Sequence, residues 1–358
     1  MGLTALEDGS KMVKKPAGML IGGLLILAGG AAAVLAGLRA MNVLNAPKVC
    51  PEQPAQIETI DGAWQSGPPL LQGRSEVKAA ALDGQIYVVG GLTTNNAPTS
   101  TVQVFDTAAG EWRESIPLPV ALHHMGVAAL DGRVYVTGGY DDATWKADVK
   151  DSWVYDPAAD TWTSIAPMPG PRAAHELVVL DGLIYALGGD APDDPHAVWA
   201  YNPDGDTWET RAPMPSPREH VGVVVVDGLM YAIGGRWPVF GSNLDVVEVY
   251  DPAADTWETR APMPTPRSGF AIGAVNGYIH AAGGENLPSL CVIAQHEVYD
   301  PQSDTWFAAA NLPTPRHGIA SAVVGSRWYT LAGATGTGDE TQRSFSSVVE
   351  LFIPGAES

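Results

Sequence analysis

Apolar and polar positions along this chain fall into a recurring four-part pattern. Residues 219–226 (EHVGVVVV) form a mostly apolar run that closes on Asp227-Gly228, a two-residue hairpin signal. A second short apolar run, Leu229–Ile233, ends at Gly234-Gly235. After a loop, Val246-Val247-Glu248-Val249-Tyr250 alternates as a half-buried strand does. Asp251-Pro252-Ala253-Ala254-Asp255 makes a turn, and Thr256-Trp257-Glu258-Thr259 begins a fourth strand. Four short antiparallel strands give one small twisted sheet. Such a sheet is apolar on both faces, so neighbouring copies must cover it.

The pattern repeats with a fixed ruler. Trp stands at 64, 112, 162, 208, 257 and 306. Ten residues after each comes Arg74, Leu122, Arg172, Arg218, Arg267 or Arg316. A turn residue follows nine positions later, at Asp83, Asp131, Asp181, Asp227, Asn276 and Gly325. Sixteen residues after the Arg position comes a small pair, Gly-Gly at 90, 138, 188, 234 and 283, and Ala332-Gly333 in the last copy. A period of this length implies an array of one supersecondary unit.

A different pattern occupies the N-terminus. Residues 17–38 carry no charge over 22 positions, enough for one membrane-spanning helix. Lys11, Lys14 and Lys15 precede the run, which favours a cytoplasmic N-terminus and an outer C-terminal domain. The run exceeds the 7–15 apolar residues usual in a cleaved signal peptide, so an uncleaved anchor is expected. The expected organisation is a cytoplasmic tail 1–16, a transmembrane helix 17–38, a linker 39–62, a repeat domain 63–352 and a tail 353–358.

The Gly-Gly pair, the Tyr-Asp-Pro segment and a Trp seven residues after the aromatic (Phe105/Trp112, Tyr155/Trp162, Tyr201/Trp208, Tyr250/Trp257, Tyr299/Trp306) resemble the Kelch repeat. The resemblance covers residues 63–352 and implies a β-propeller with one blade per repeat. The last unit has Arg316, Ala332-Gly333 and Phe352, but its Trp would fall beyond the chain end, while Trp64 has no blade of its own. The segment around Ala63–Ser66 therefore supplies the missing strand, which seals the ring and removes its open edge. The expected fold is an all-β, six-bladed Kelch-type propeller preceded by a single transmembrane helix.

Composition narrows the function. The formal charge of −20 opposes nonspecific binding to nucleic acid or anionic lipid. Two cysteines cannot alone build a structural zinc site. Cys50 and Cys291 would both lie outside the membrane, where a disulfide is permitted. The linker must reach round the domain to make it, because Cys291 lies at the end opposite to the strand entry.

Strand directions place the Arg positions and the loops after Gly-Gly at one end of the propeller, with the Asp-Gly and Asp-Pro turns at the other. Those loops vary from 12 to 19 residues between the second Gly and the aromatic, and variable loops on a rigid scaffold are where binding usually resides. Arg74, Arg172, Arg218, Arg267 and Arg316, joined by Arg236, are thus expected to ring the channel mouth. Guanidinium groups suit carboxylate recognition, and in some Kelch domains the matching positions bind acidic peptides. The opposing reading pairs each Arg with a local carboxylate such as Asp141, Asp190, Asp193 or Glu285. Tyr140, Trp145 and Trp237 belong to the same end and would serve a protein or sugar ligand.

His124, His175, His220 and His317 follow the Arg position at unequal offsets, so no metal site is assigned and no cofactor is expected. The turns lack the Ser-x-Asp-x-Gly-x-x-Trp pattern of sialidases, and Cys291 lacks the partners of a galactose-oxidase copper site. The leading expectation is a noncatalytic, membrane-tethered, extracytoplasmic propeller that binds a protein or peptide. The alternatives are an envelope enzyme resembling sialic acid epimerases, acting on an acidic sugar, and an accessory subunit of a membrane complex.

Overall fold

The computed structural model describes residues 48–51, 57–94, 96–143, 145–146, 149–238, 241–337 and 344–355. The expected cytoplasmic tail and transmembrane helix and most of the expected linker lie outside them. Among the described residues there is no helix long and apolar enough to cross a membrane.

Six four-stranded antiparallel sheets make six blades. Blades 1 to 5 span residues 78–115, 126–165, 176–211, 222–260 and 271–309. Blade 6 combines the strands Ala320–Val324, Arg327–Leu331 and Val349–Pro354 with Gly62–Ser66 from the start of the domain. That closing strand pairs in register with the last one, Trp64 opposite Phe352. Closure therefore occurs where the unpaired Trp64 indicated, with the domain beginning one residue earlier and ending two later than the repeat pattern alone suggests.

Each blade buries both faces against its neighbours. Leu180 and Tyr185 of blade 3 pack with Val223, Met230 and Tyr250 of blade 4, and equivalent clusters fill the other seams. The ruler tryptophans bolt the seams. Their indole N–H groups donate to Pro68, Ile116, Ala166, Ala212, Ala261 and Ala310 carbonyls on the preceding side. An indole packed into a seam needs such an acceptor, which is why an aromatic with a donor recurs here.

The linker is partly strapped to blade 5. Ile60 N–H donates to Ala308 O and Ala308 N–H to Glu58 O, along the outer strand of that blade. Further up, Cys50 N–H donates to Val292 O. Both contacts are parallel bridges, Thr59 with Ala308 and Val49 with Val292, so the linker touches blade 5 at two separate places. Cys50 and Cys291 are joined by a disulfide, Cα to Cα 5.1 Å.

Candidate functional site

Two closed circuits of backbone hydrogen bonds surround the propeller axis. In the outer one, the second small-pair residue donates to the carbonyl of the Arg position in the next blade: Gly91 to Leu122, Gly139 to Arg172, Gly189 to Arg218, Gly235 to Arg267, Gly284 to Arg316 and Gly333 to Arg74. The first residue of the pair favours glycine, since a Cβ on Gly138 would lie 2.3 Å from Arg172 O and φ there is +57°, although Ala332 holds φ +59° at the same place in blade 6. In the inner circuit, the residue two after the Arg position donates to its counterpart in the preceding blade. His124 donates to Glu76 O (3.1 Å), Ala174 to His124 O (2.8 Å) and His220 to Ala174 O (3.0 Å). Gly269 then donates to His220 O (3.2 Å), Gly318 to Gly269 O (2.8 Å) and Glu76 to Gly318 O (3.0 Å). All six residues adopt positive φ between 51° and 61°.

The five repeated arginines belong to this scaffold. Arg74, Arg172, Arg218, Arg267 and Arg316 are fully buried. Arg218, Arg267 and Arg316 pair with Glu248, Glu297 and Glu350 at 2.7, 2.7 and 2.5 Å. Each also donates to backbone carbonyls, for example Arg267 to Gly283 O and Gln295 O. Arg74 holds Gly90 O and Thr101 O. Arg172 holds Gly188 O and Ala197 O, and its guanidinium lies 4.1 Å from the Trp199 ring centroid. Burial, with only Asp194 opposing it, pulls Arg172 down to about 9.

The expected guanidinium ring at the channel mouth is therefore corrected. The arginines stand at the expected place along the strand, but their side chains turn into their own blades, where inner carbonyls such as those of Gly90, Gly188, Ala232, Gly283 and Ala332 need donors. The glutamates that pair with them sit on the third strand, not among Asp141, Asp190, Asp193 and Glu285. With the arginines consumed, the ground for expecting an acidic ligand at these positions, peptide or sugar, is removed.

The mouth is formed instead by the residues one and two after the Arg position. Antiparallel bridges join His123 to Tyr140, Ala173 to Asp190, Glu219 to Arg236, Ser268 to Glu285 and His317 to Ala334. Arg236 is buried, paired with Glu219 and, at 2.5 Å, with Glu285. Tyr140 is buried, donates to Asp190 at 3.0 Å and packs near His123, His124 and Trp145. Trp237 is half-buried in a two-residue hairpin with Ser242. His175 bonds Thr137 inside the blade 2–3 seam, away from this group.

On the axis, Glu76 gathers three histidines. Its carboxylate lies 3.1 Å from His124 Nε2, 3.6 Å from His220 Nε2 and 3.5 Å from His317 Nδ1. Burial opposes ionisation of Glu76, but His124, His220 and His317 together hold it well below the usual carboxylate range. Burial likewise opposes charge on His317, yet Glu285 and Glu76 raise it to about 9. Glu219, buried between His220 and Arg236, falls to about 2. Glu76, His124, His220, Ala174, Gly269 and Gly318 line a cavity of about 20 Å³. Further along the channel is a cavity of about 120 Å³, lined by Lys78, Glu176 and inner-strand side chains. Lys78 pairs with Glu176, and burial pulls its amine down to about 8.

Sequence reasoning noticed the histidines but not Glu76 or Glu219. The signal was available in the columns. Glu76, His124 and His220 share the offset of two, whereas His123, Glu219 and His317 share the offset of one.

Residues 59–214 match the family model described as the KLHDC2/KLHL20/DRC7 Kelch-repeats domain, and residues 217–264 match the one described as the Kelch motif. No curated protein matches the chain. Blade 5 and the three C-terminal strands of blade 6, outside both matches, keep the same strand order and contribute to both circuits.

Proposed function

Because the chain belongs to the Kelch-repeat β-propeller family, we propose that it is a binding module. The apolar run 17–38 tethers it to a membrane, the propeller faces the extracytoplasmic side, and the loop end engages a protein or peptide partner. Kelch propellers commonly bind proteins, which supports the general reading. The observation that carries it is the difference between the two ends. One end is built of near-identical turns whose aspartates bond their own backbone, as Asp156, Asp251 and Asp300 do. The other presents six loops that range from 12 to 19 residues around a polar axial cluster. Recognition needs such differences, and a rigid ring holds them in place. The Cys50–Cys291 disulfide supports an oxidising compartment.

Affinity capture of the full chain from solubilised native membranes tests this reading. A stoichiometric partner kept by the turn-end variant Ala158→Arg and lost by Trp237→Ala is the expected result. Capture lost only by Ala158→Arg moves the interface to the other end, and no stoichiometric partner at all removes the binding module. In intact cells an impermeant amine reagent should label Lys146 and Lys150, both exposed. Labelling only after lysis would place the propeller inside.

A further inference from the structure

The axial cluster has the make-up of a cation site. We propose that Glu76, His124 and His220 bind one divalent transition-metal ion of the zinc type on the propeller axis.

The donor spacing fits. One atom from each of the three residues lies within 4.8 Å of the other two. Bonds of about 2.0–2.1 Å in tetrahedral geometry place neighbouring donors about 3.4 Å apart. The Glu76 oxygen stands 3.1 Å from His124 Nε2 and 3.6 Å from His220 Nε2, on either side of that value. Two imidazoles and one carboxylate form a recurrent ligand set for zinc and for iron(II). Such sets leave a further position for a small ligand, and the cavity of about 20 Å³ beside them holds about one water.

The outer partners strengthen the assignment, because metal-ligating histidines donate their second N–H to a carboxylate or carbonyl. His220 Nδ1 lies 2.6 Å from Glu219 Oε2, and Glu219 is held in turn by Arg236. His220 Nε2 is thereby left as the acceptor that faces Glu76. His123 Nε2 lies 2.8 Å from Asp142 O, so its N–H donates there and its Nδ1 accepts. That Nδ1 is 2.6 Å from His124 Nδ1, so His124 donates to it and turns the lone pair of its own Nε2 toward Glu76. The second oxygen of Glu76 meets His317 Nδ1 at 3.5 Å. Each of the three ligands thus has an orienting partner. The inner backbone circuit fixes their Cα atoms across three different blades, so no rearrangement is needed to bring them together.

The test uses full-length, tag-free protein in detergent, stripped with a chelator and dialysed. Titration with Co²⁺ and Zn²⁺, followed by calorimetry and by the Co²⁺ ligand-field spectrum, should show one ion per chain. Glu76→Gln and His220→Gln should each weaken binding by more than about 100-fold, and Glu219→Gln by about 10- to 100-fold. His196→Gln, in a blade 3 loop, should leave it unchanged. Near-UV circular dichroism establishes that each variant folds; if Glu76→Gln does not, His220→Gln and Glu219→Gln carry the same comparison. Wild-type protein without stoichiometric uptake, or folded His220→Gln with undiminished affinity, would overturn the proposal and leave the cluster as an ion-pair relay alone.

Discussion

Blades 4, 5 and 6 solve one packing problem differently from blades 1, 2 and 3. In the first group the triplets Ser216-Pro217-Arg218, Thr265-Pro266-Arg267 and Thr314-Pro315-Arg316 face Glu248, Glu297 and Glu350. The hydroxyl of each triplet donates to the other oxygen of the same carboxylate, at 2.6–2.8 Å. In the second group the same columns hold Gln72, Arg74 and Gln103, then Val120, Leu122 and Trp153, then Gly170, Arg172 and Trp199. Blade 2 has neither charge, yet its Leu122 carbonyl still accepts from Gly91. The backbone circuit is therefore what every blade shares, and the ion pair is only one way to fill the space beneath it. This agrees with the general finding that a buried pair can be replaced as a unit, whereas one member cannot be removed alone.

The largest expected effect breaks the ionic half. Glu297→Ala leaves Arg267 buried without its carboxylate and should cost about 3–5 kcal/mol in chemical denaturation. The double change Arg267→Leu with Glu297→Trp, copying blade 2, should recover most of that loss. A single-variant cost no greater than a surface substitution's would erase the distinction between the halves.

Acid provides the next test. Blade 5 departs from the other blades at two buried columns. His280 stands where Tyr87, Tyr135, Tyr185, Tyr231 and Tyr329 stand, and His296 stands where Val102, Val198, Val247 and Val349 stand. Burial lowers His280 from 6.5 to about 4 and His296 well below 6.5. The unfolded chain takes up these protons below about pH 6.5 and the folded one does not. Their contribution to stability is then complete above that pH and is lost as it falls toward 4. Melting curves across this window should slope less in the double variant His280→Tyr, His296→Val; an unchanged slope would assign the acid sensitivity elsewhere.

Two smaller effects sharpen the contrast. Arg172→Leu removes carbonyl bonds and the Trp199 contact but strands no carboxylate, so its cost should be about 1–2 kcal/mol and below that of Arg267→Leu. Gln103→Glu offers Arg74 the partner it lacks, since Arg74 Nε and one terminal nitrogen have no hydrogen-bond partner. A small rise in melting temperature is expected, and a fall would mean that the blade 1 column cannot host the pair.

The halves also mark where sequence reasoning succeeded. Period, turns and closing strand were legible because backbone geometry alone sets them: Asp227-Gly228 must turn, and Trp64 must find a blade. Arginine orientation was not legible from spacing, which locates a Cα but not the carbonyls that its side chain satisfies. Yet Glu248 and Glu297 follow their arginines by the same 30 residues, a covariation within one chain that points to pairing. Glu76 is hard to find in the sequence because its partners His124, His220 and His317 lie on other blades, where only ring closure assembles them; Glu219 pairs locally, with His220 and Arg236 of its own blade. The linker does reach the loop end, where Val49 and Cys50 pair with Val292 beside the disulfide to Cys291.

That edge pairing bears on how the molecule carries load. A pull on the chain upstream of residue 48 reaches Cys50 before it reaches the strand Gly62–Ser66. The covalent bridge diverts tension into the body of blade 5, and the seam that completes blade 6 is spared from being unzipped from its end.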